Sequence, residues 1–190
     1  NPGSGKSFLT MNIAMSFAIK KKRILVIDGD LRHGSVSSYV DSPRIGLSDY
    51  LGNRVENWKE IIVADKKYDN LHILPIGTVP PNPTELLEDG KLATLIGALR
   101  GEYDYIFIDC PPIDIVADAQ IIEKLADRTI FVVRSGLLDR GMLPELENIY
   151  QEKRFRNLSV ILNGTESAGG RYSYRYGYRY GCLLYTSPSP

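Results

Sequence analysis

Cysteine is nearly absent from this sequence, with Cys110 and Cys182 the two present in 190 residues. That pair forms neither a disulfide framework nor a zinc spacing, which fits a reducing compartment and removes both residues as metal ligands. Net charge is missing too, because 23 Lys+Arg balance 23 Asp+Glu. A neutral domain has no long-range field for nucleic acid or anionic lipid, so no nucleic-acid partner is expected. No apolar run approaches the roughly 18 residues of a membrane span, and no charged-then-apolar leader opens the chain. An initiator methionine is lacking, and the opening NPGSGKS reads as the inside of a phosphate-binding loop, so the expectation is a fragment whose preceding strand lies ahead of Asn1. What is present, 43% hydrophobic and 24% charged residues, predicts a soluble globular domain with one core.

Buried parallel strands read as short β-branched and apolar runs, because helices cover both faces of the sheet. Such runs occupy 23–28 (RILVID), 105–109 (YIFID), 129–134 (TIFVVR) and 158–163 (LSVILN), with 71–75 (LHILP) a fifth. Helical patterns fall between them at 6–21, 83–99, 118–125 and 142–153. Strands alternating with helices predict an α/β fold with a doubly wound, mostly parallel sheet, whose strand order the sequence does not disclose. The polar stretch 31–57 reads as an excursion between strands, followed by a short helix at 58–63. The domain reading is therefore 1–165 for the P-loop domain and 166–181 for a flexible Tyr-rich tail. The last nine residues, 182–190 (CLLYTSPSP), resemble translated sequencing-adapter DNA rather than protein.

A P-loop is written G-x-x-x-x-G-K-[ST], and Gly5-Lys6-Ser7 supply its last three positions. Backbone N–H groups of Gly3, Ser4, Gly5, Lys6, Ser7 and Phe8 would wrap phosphate at a helix N-terminus, Lys6 would add charge to the β/γ oxygens, and the Ser7 hydroxyl would reach Mg2+. An ordinary Gly-rich turn is the plainer reading of the same residues. Two predicted strands end in acids, ILVIDGD with Asp28 and Asp30 and YIFIDCPP with Asp109. Ligands of open α/β sheets sit at the carboxyl ends of strands, so these acids should converge near the phosphates and share Mg2+ and proton-acceptor duty. Any one of them read alone also fits a helix N-cap. His33 and His72 lack partners at ligand spacing, Cys110 reads as a small strand-end residue, and Asp118 fits either a cleft residue or a helix cap. Lys20 to Arg23 fits either lipid headgroups or a solvated helix C-terminus.

Together, GSGKS, ILVIDGDLR and YIFIDCPP resemble the phosphate loop and the two acidic motifs of the bacterial tyrosine kinases of capsule and exopolysaccharide synthesis. GTVPPNPTELL (77–87) resembles the stretch that family carries between its acidic motifs, and Arg32 completes the DxDxR form. The resemblance covers Asn1 to about Gly181. It implies a P-loop NTPase of the deviant type, with Lys6 and Ser7 as phosphate and Mg2+ ligands and Asp28, Asp30 and Asp109 as the acidic catalytic set. In the reading adopted, Ser7 and Asp30 organise Mg2+, Asp109 holds a metal-bound water, and Asp28 orients or deprotonates the incoming phenol. It further implies ATP and Mg2+ as cofactors and a place on the cytoplasmic side of the bacterial inner membrane. The implied partners are neighbouring subunits in a ring, a membrane-anchored co-polymerase or activator segment, and a cognate tyrosine phosphatase. The competing resemblance is to partition and division-site ATPases, which share the sheet but carry a signature lysine at the place of Asn1.

Tyr172, Tyr174, Tyr176, Tyr178 and Tyr180 recur at every second position, interleaved with Ser, Arg and Gly. Beside a phosphate loop, this cluster reads as the phosphoacceptor of autophosphorylation, each phosphate replacing a neutral phenol with about −1.5 to −2 charges. An RNA-stacking tail and an inert tail are the alternatives.

Overall fold

In the computed structural model, the described residues are 3–112, 116–137 and 140–165. The Tyr-rich cluster and the 182–190 segment lie outside them. The chain runs through α1 (Lys6–Ile19), β1 (Ile24–Asp28), α2 (Leu47–Leu51), β2 (Val63–Ala64), β3 (Leu71–Leu74), α3 (Pro83–Glu88), α4 (Lys91–Glu102), β4 (Tyr105–Asp109), α5 (Val116–Glu123), β5 (Ile130–Arg134), α6 (Leu143–Gln151) and β6 (Ser159–Asn163). The order β2-β3-β1-β4 makes one sheet and β5-β6 a second. Every pairing is parallel except the short β2 on β3.

Alternation along β1 shows why its sequence is apolar throughout. Leu25 and Ile27 join a core with Leu92, Leu95, Ile96 and Leu99 of α4. Ile24 and Val26 point the other way, into a core with Met11, Ala14, Met15 and Ala18 of α1. A strand covered on both faces has no solvent side on which to place polar residues. All five residues of β1 are buried, and the run terminates in Asp28 where the strand leaves the core. In register, Asp28 stands opposite Asp109 of β4, so the two acids occupy neighbouring strand ends about 4.8 Å apart in the pairing direction.

The described strands pair in two sets, because no described strand pairs with both β4 and β5. An apolar slot of about 800 Å3 separates them, lined among others by Phe17, Ile108, Ile122, Ile130, Val132 and Ile161. The helix expected over 83–99 is two helices. Gly90 at φ 76° turns the chain between α3 and α4, a left-handed conformation that glycine adopts without a Cβ clash. The excursion 31–57 contains a 3-10 turn at Ser37–Val40 and α2, while the helix expected at 58–63 is a 3-10 turn at Trp58–Ile61 that passes into β2.

Candidate active site

The glycine-rich loop ends at Gly5, whose φ of 86° is left-handed, and α1 starts at Lys6. Two side chains from the second sheet hold the loop backbone. Arg134, the last residue of β5, donates from Nη1 to the Gly3 carbonyl at 2.8 Å. Asn163, the last residue of β6, donates from Nδ2 to the Ser4 carbonyl at 2.9 Å. A Cβ on Gly5 would stand 2.5 Å from that same Asn163 nitrogen, so the close approach requires glycine. The carboxyl ends of β5 and β6 therefore meet the loop, and that of β4 meets the first turns of α1 beyond it, as expected for a ligand site of an open parallel sheet.

Ser7 donates its hydroxyl to Asp109 Oδ2 at 2.6 Å, and Thr10 reaches Asp109 Oδ1 at 3.5 Å. Burial pushes the Asp109 carboxyl above its ordinary range, while the Ser7 bond and the Lys6 charge pull it back. Asp28 is fully buried, and burial raises it to about 6, with the Asp109 and Asp30 charges adding to the rise and hydrogen bonds from Ser37 opposing it. Asp28 and Asp109 are thus within electrostatic reach of Asp30. The Asp30 carboxylate turns onto its own loop, accepting the Arg32 N–H at 3.2 Å and the His33 N–H at 3.3 Å, with the His33 ring Nδ1 at 3.2 Å. Phe8 lies in the first turn of α1, its carbonyl accepting a bond from Asn12 Nδ2 at 2.8 Å.

Arg32 reaches across to Asp118 Oδ2 at 3.3 Å, and the Thr84 hydroxyl donates to Asp118 Oδ1 at 2.6 Å. The loop after β1, the start of α3 and the start of α5 meet in this one buried carboxylate. His33 sits on Asp30, a contact that ligand-spacing arguments missed; His72 instead meets the Tyr103 hydroxyl at 2.7 Å. Burial and neighbouring acids push the Cys110 thiol up to about 12, so it is protonated at neutral pH. Arg23 pairs with Asp104 at 2.8 Å rather than standing free at the surface.

Among the described residues, no three His, Cys, Asp or Glu side chains are grouped to hold a metal by themselves. Mg2+ does not require such a group, since one or two carboxylates, waters and substrate phosphates complete its shell. The donors present fit that pattern. Ser7 and Asp109 are already hydrogen-bonded to each other, and Ser4 Oγ and Asp28 Oδ1 are buried polar atoms with no hydrogen-bond partner among the described residues.

A family model described as an AAA domain matches residues 1–151. The tyrosine-protein kinase CpsD of Streptococcus pneumoniae is 33% identical over 174 residues, covering 90% of this chain and 76% of that protein. The tyrosine-protein kinase YwqD of Bacillus subtilis is also 33% identical, over 91% of this chain and 73% of its own. The chain belongs to the bacterial tyrosine-kinase family.

Solved structures agree. The kinase domain of the Escherichia coli tyrosine kinase ETK superposes with a TM-score of 0.80 at 30% identity, over 94% of this chain and 69% of that one. The chimerical protein CapA2B2 gives 0.78 at 29% identity, over 85% and 71%. The septum site-determining protein MinD of Pyrococcus horikoshii, complexed with Mg-ADP, gives 0.67 at 26% identity, over 85% and 66%. This bacterial tyrosine kinase is therefore an α/β P-loop NTPase of the MinD type with a mostly parallel sheet, and its family is one of nucleotide-binding proteins. No helix among its described residues is long and apolar enough to cross a membrane.

Proposed function

We propose that this domain transfers the γ-phosphoryl group of ATP to tyrosine, and that the acceptors are Tyr172, Tyr174, Tyr176, Tyr178 and Tyr180 of a neighbouring copy. The observation that carries the reading is the junction of Ser7 with Asp109 at 2.6 Å, one strand away from Asp28, beside Lys6. Phosphoryl transfer is mostly positioning and charge neutralisation, so few groups are needed. Lys6 and the loop amides hold the β/γ oxygens. Ser7, Asp30 and Asp109 would hold Mg2+, which would supply neutralising charge to those oxygens. Asp28 accepts the phenol proton as the phenolic oxygen bonds to the γ-phosphorus. The bond to the bridging oxygen breaks, and its electron pair leaves on ADP. The raised Asp28 carboxyl, at about 6, is a better proton acceptor than an ordinary aspartate and is still ionised at neutral pH.

In the cell the domain works beneath a membrane-anchored co-polymerase segment and serves capsule or exopolysaccharide synthesis, its tail being reset by a phosphatase. This part of the reading rests on the resemblance and on the kinase relatives. Incubation with ATP and Mg2+ followed by mapping of phosphosites by mass spectrometry tests the acceptor assignment: phosphate on the tail tyrosines is expected, and an unmodified tail on nucleotide-bound protein contradicts it. The likeness to MinD favours a second reading, an ATPase switch without a protein substrate. With γ-labelled ATP, that switch yields label in free phosphate alone, whereas the kinase carries label on the chain.

A further inference from the structure

One residue outside the nucleotide motifs governs how Asp28 is presented. Ser37 opens the 3-10 turn that follows the DGDLR segment and is itself 2% exposed. Its backbone N–H donates to Asp28 Oδ2 at 2.7 Å, and its hydroxyl donates to the same oxygen at 2.8 Å. The hydroxyl oxygen in turn accepts the N–H of Ile76, just beyond β3, at 2.9 Å. Ser37 thereby clips the end of β1 to the end of its neighbour β3.

Both bonds fall on one carboxylate oxygen. The other, Oδ1, is buried and has no hydrogen-bond partner among the described residues. The terminal torsion of an aspartate is broad and nearly two-fold, so an unrestrained carboxylate would exchange its oxygens freely. Two donors on Oδ2 remove that freedom and leave Oδ1 as the one unsatisfied acceptor. A buried acceptor without a partner is costly to keep, and such atoms persist where a reacting or bound group completes them.

We propose that Ser37 is a positioning residue for phosphoryl transfer: by engaging Oδ2 of Asp28 with two donors it presents Oδ1 as the atom that receives the proton of the incoming phenol. The inference rests on the role given to Asp28 above. Ser37 touches neither nucleotide phosphate nor phenol; it acts through Asp28. Losing the hydroxyl leaves one backbone bond on the carboxylate and releases the Ile76 amide, so the acceptor is held less sharply while the phosphate loop is untouched. Misplacement of a reacting group by about 1 Å can cost on the order of a hundredfold in rate.

The test is a double-mutant cycle on the full chain, reading kcat for transfer from ATP to tyrosine, ATP affinity and Tm. Ser37→Ala is expected to lower kcat about tenfold to a hundredfold, with ATP affinity within about threefold of wild type. Ser37→Thr, which keeps the hydroxyl, is expected to restore most of the rate. In the Asp28→Asn background, Ser37→Ala should cause no further loss of rate, since it acts through the missing carboxylate. A loss that multiplies with that of Asp28→Asn, or a Ser37→Ala rate equal to wild type, overturns the positioning role alone. An Asp28→Asn enzyme that runs at the wild-type rate overturns the Asp28 assignment itself, a different result. Should Ser37→Ala fail to fold, Ser37→Cys carries the same comparison with a weaker donor at similar volume.

Discussion

Strand β1 and the β5-β6 pair are written in the same alphabet and end in opposite conditions. In β1, ILVID is enclosed throughout, with α1 on one face and α4 on the other. In β5 and β6, IFVVR and SVILN are as rich in β-branched and aliphatic residues, yet Ile130 is 48%, Val160 50% and Leu162 59% exposed. An apolar run reports that a strand forms; burial depends on which layers are laid over it. The difference also divides the labour of the site. The ends of β1 and β4 carry the acids, whereas the exposed pair contributes two amide and guanidinium donors, Asn163 and Arg134, that hold the loop by its carbonyls.

The sharpest way to break this division is to remove charge from the loop. Lys6→Ala is expected to abolish labelled transfer with Tm within a few degrees of wild type, while Leu162→Ala on the exposed pair leaves the rate within about twofold, as surface changes usually do. Next comes packing. Leu25→Ala, emptying a fully enclosed position, should cost about 2–5 kcal/mol in denaturant unfolding, whereas Leu162→Ala should stay within about 0.5 kcal/mol. Equal costs would erase the distinction between the sheets.

A pH series sharpens it further. The folded Asp28 carboxyl lies at about 6, above its ordinary 3.8. A raised folded value means the protonated form is favoured by folding. That contribution is fully present below about pH 4 and is lost as pH rises through 6. Asp28→Asn should therefore stabilise the nucleotide-free protein above pH 7 by up to about 3 kcal/mol and bring no gain near pH 3.5, even as it slows transfer to a lower but measurable rate. A stability difference independent of pH would contradict burial of an ionised Asp28. The smallest effect is expected at the bridge between the sheets: Asn163→Ala removes one hydrogen bond to the Ser4 carbonyl, worth about 0.5–1.5 kcal/mol, and should weaken ATP binding severalfold in calorimetry.

What could be read in advance follows from range along the chain. Strands β1 and β4 were legible because four or five consecutive apolar residues end in aspartate, and Gly5-Lys6-Ser7 because the P-loop needs its residues in sequence. Strand order and the slot between β4 and β5 depend on pairings between separate segments, and the hold of Arg134 and Asn163 on the loop joins residues more than a hundred positions apart, so no local spacing encodes them. The break at Gly90 had a signal, the Asp-Gly pair inside an otherwise periodic stretch. Gly29 had one as well, a glycine between two acids: a Cβ there would stand 2.8 Å from the Asp109 carbonyl, so the two acidic strand ends approach each other only because that side chain is absent. Ser37 carried none, being one serine among several in a polar excursion.

The account stands on Asp109 and the loop working as one site with Asp28. Transfer of label from γ-labelled ATP to the protein, measured for Asp109→Asn beside wild type at equal fold content, tests this most directly. A loss of at least about a hundredfold is predicted, the size seen when a preorganised electrostatic group is removed. Transfer at or near the wild-type rate would contradict it.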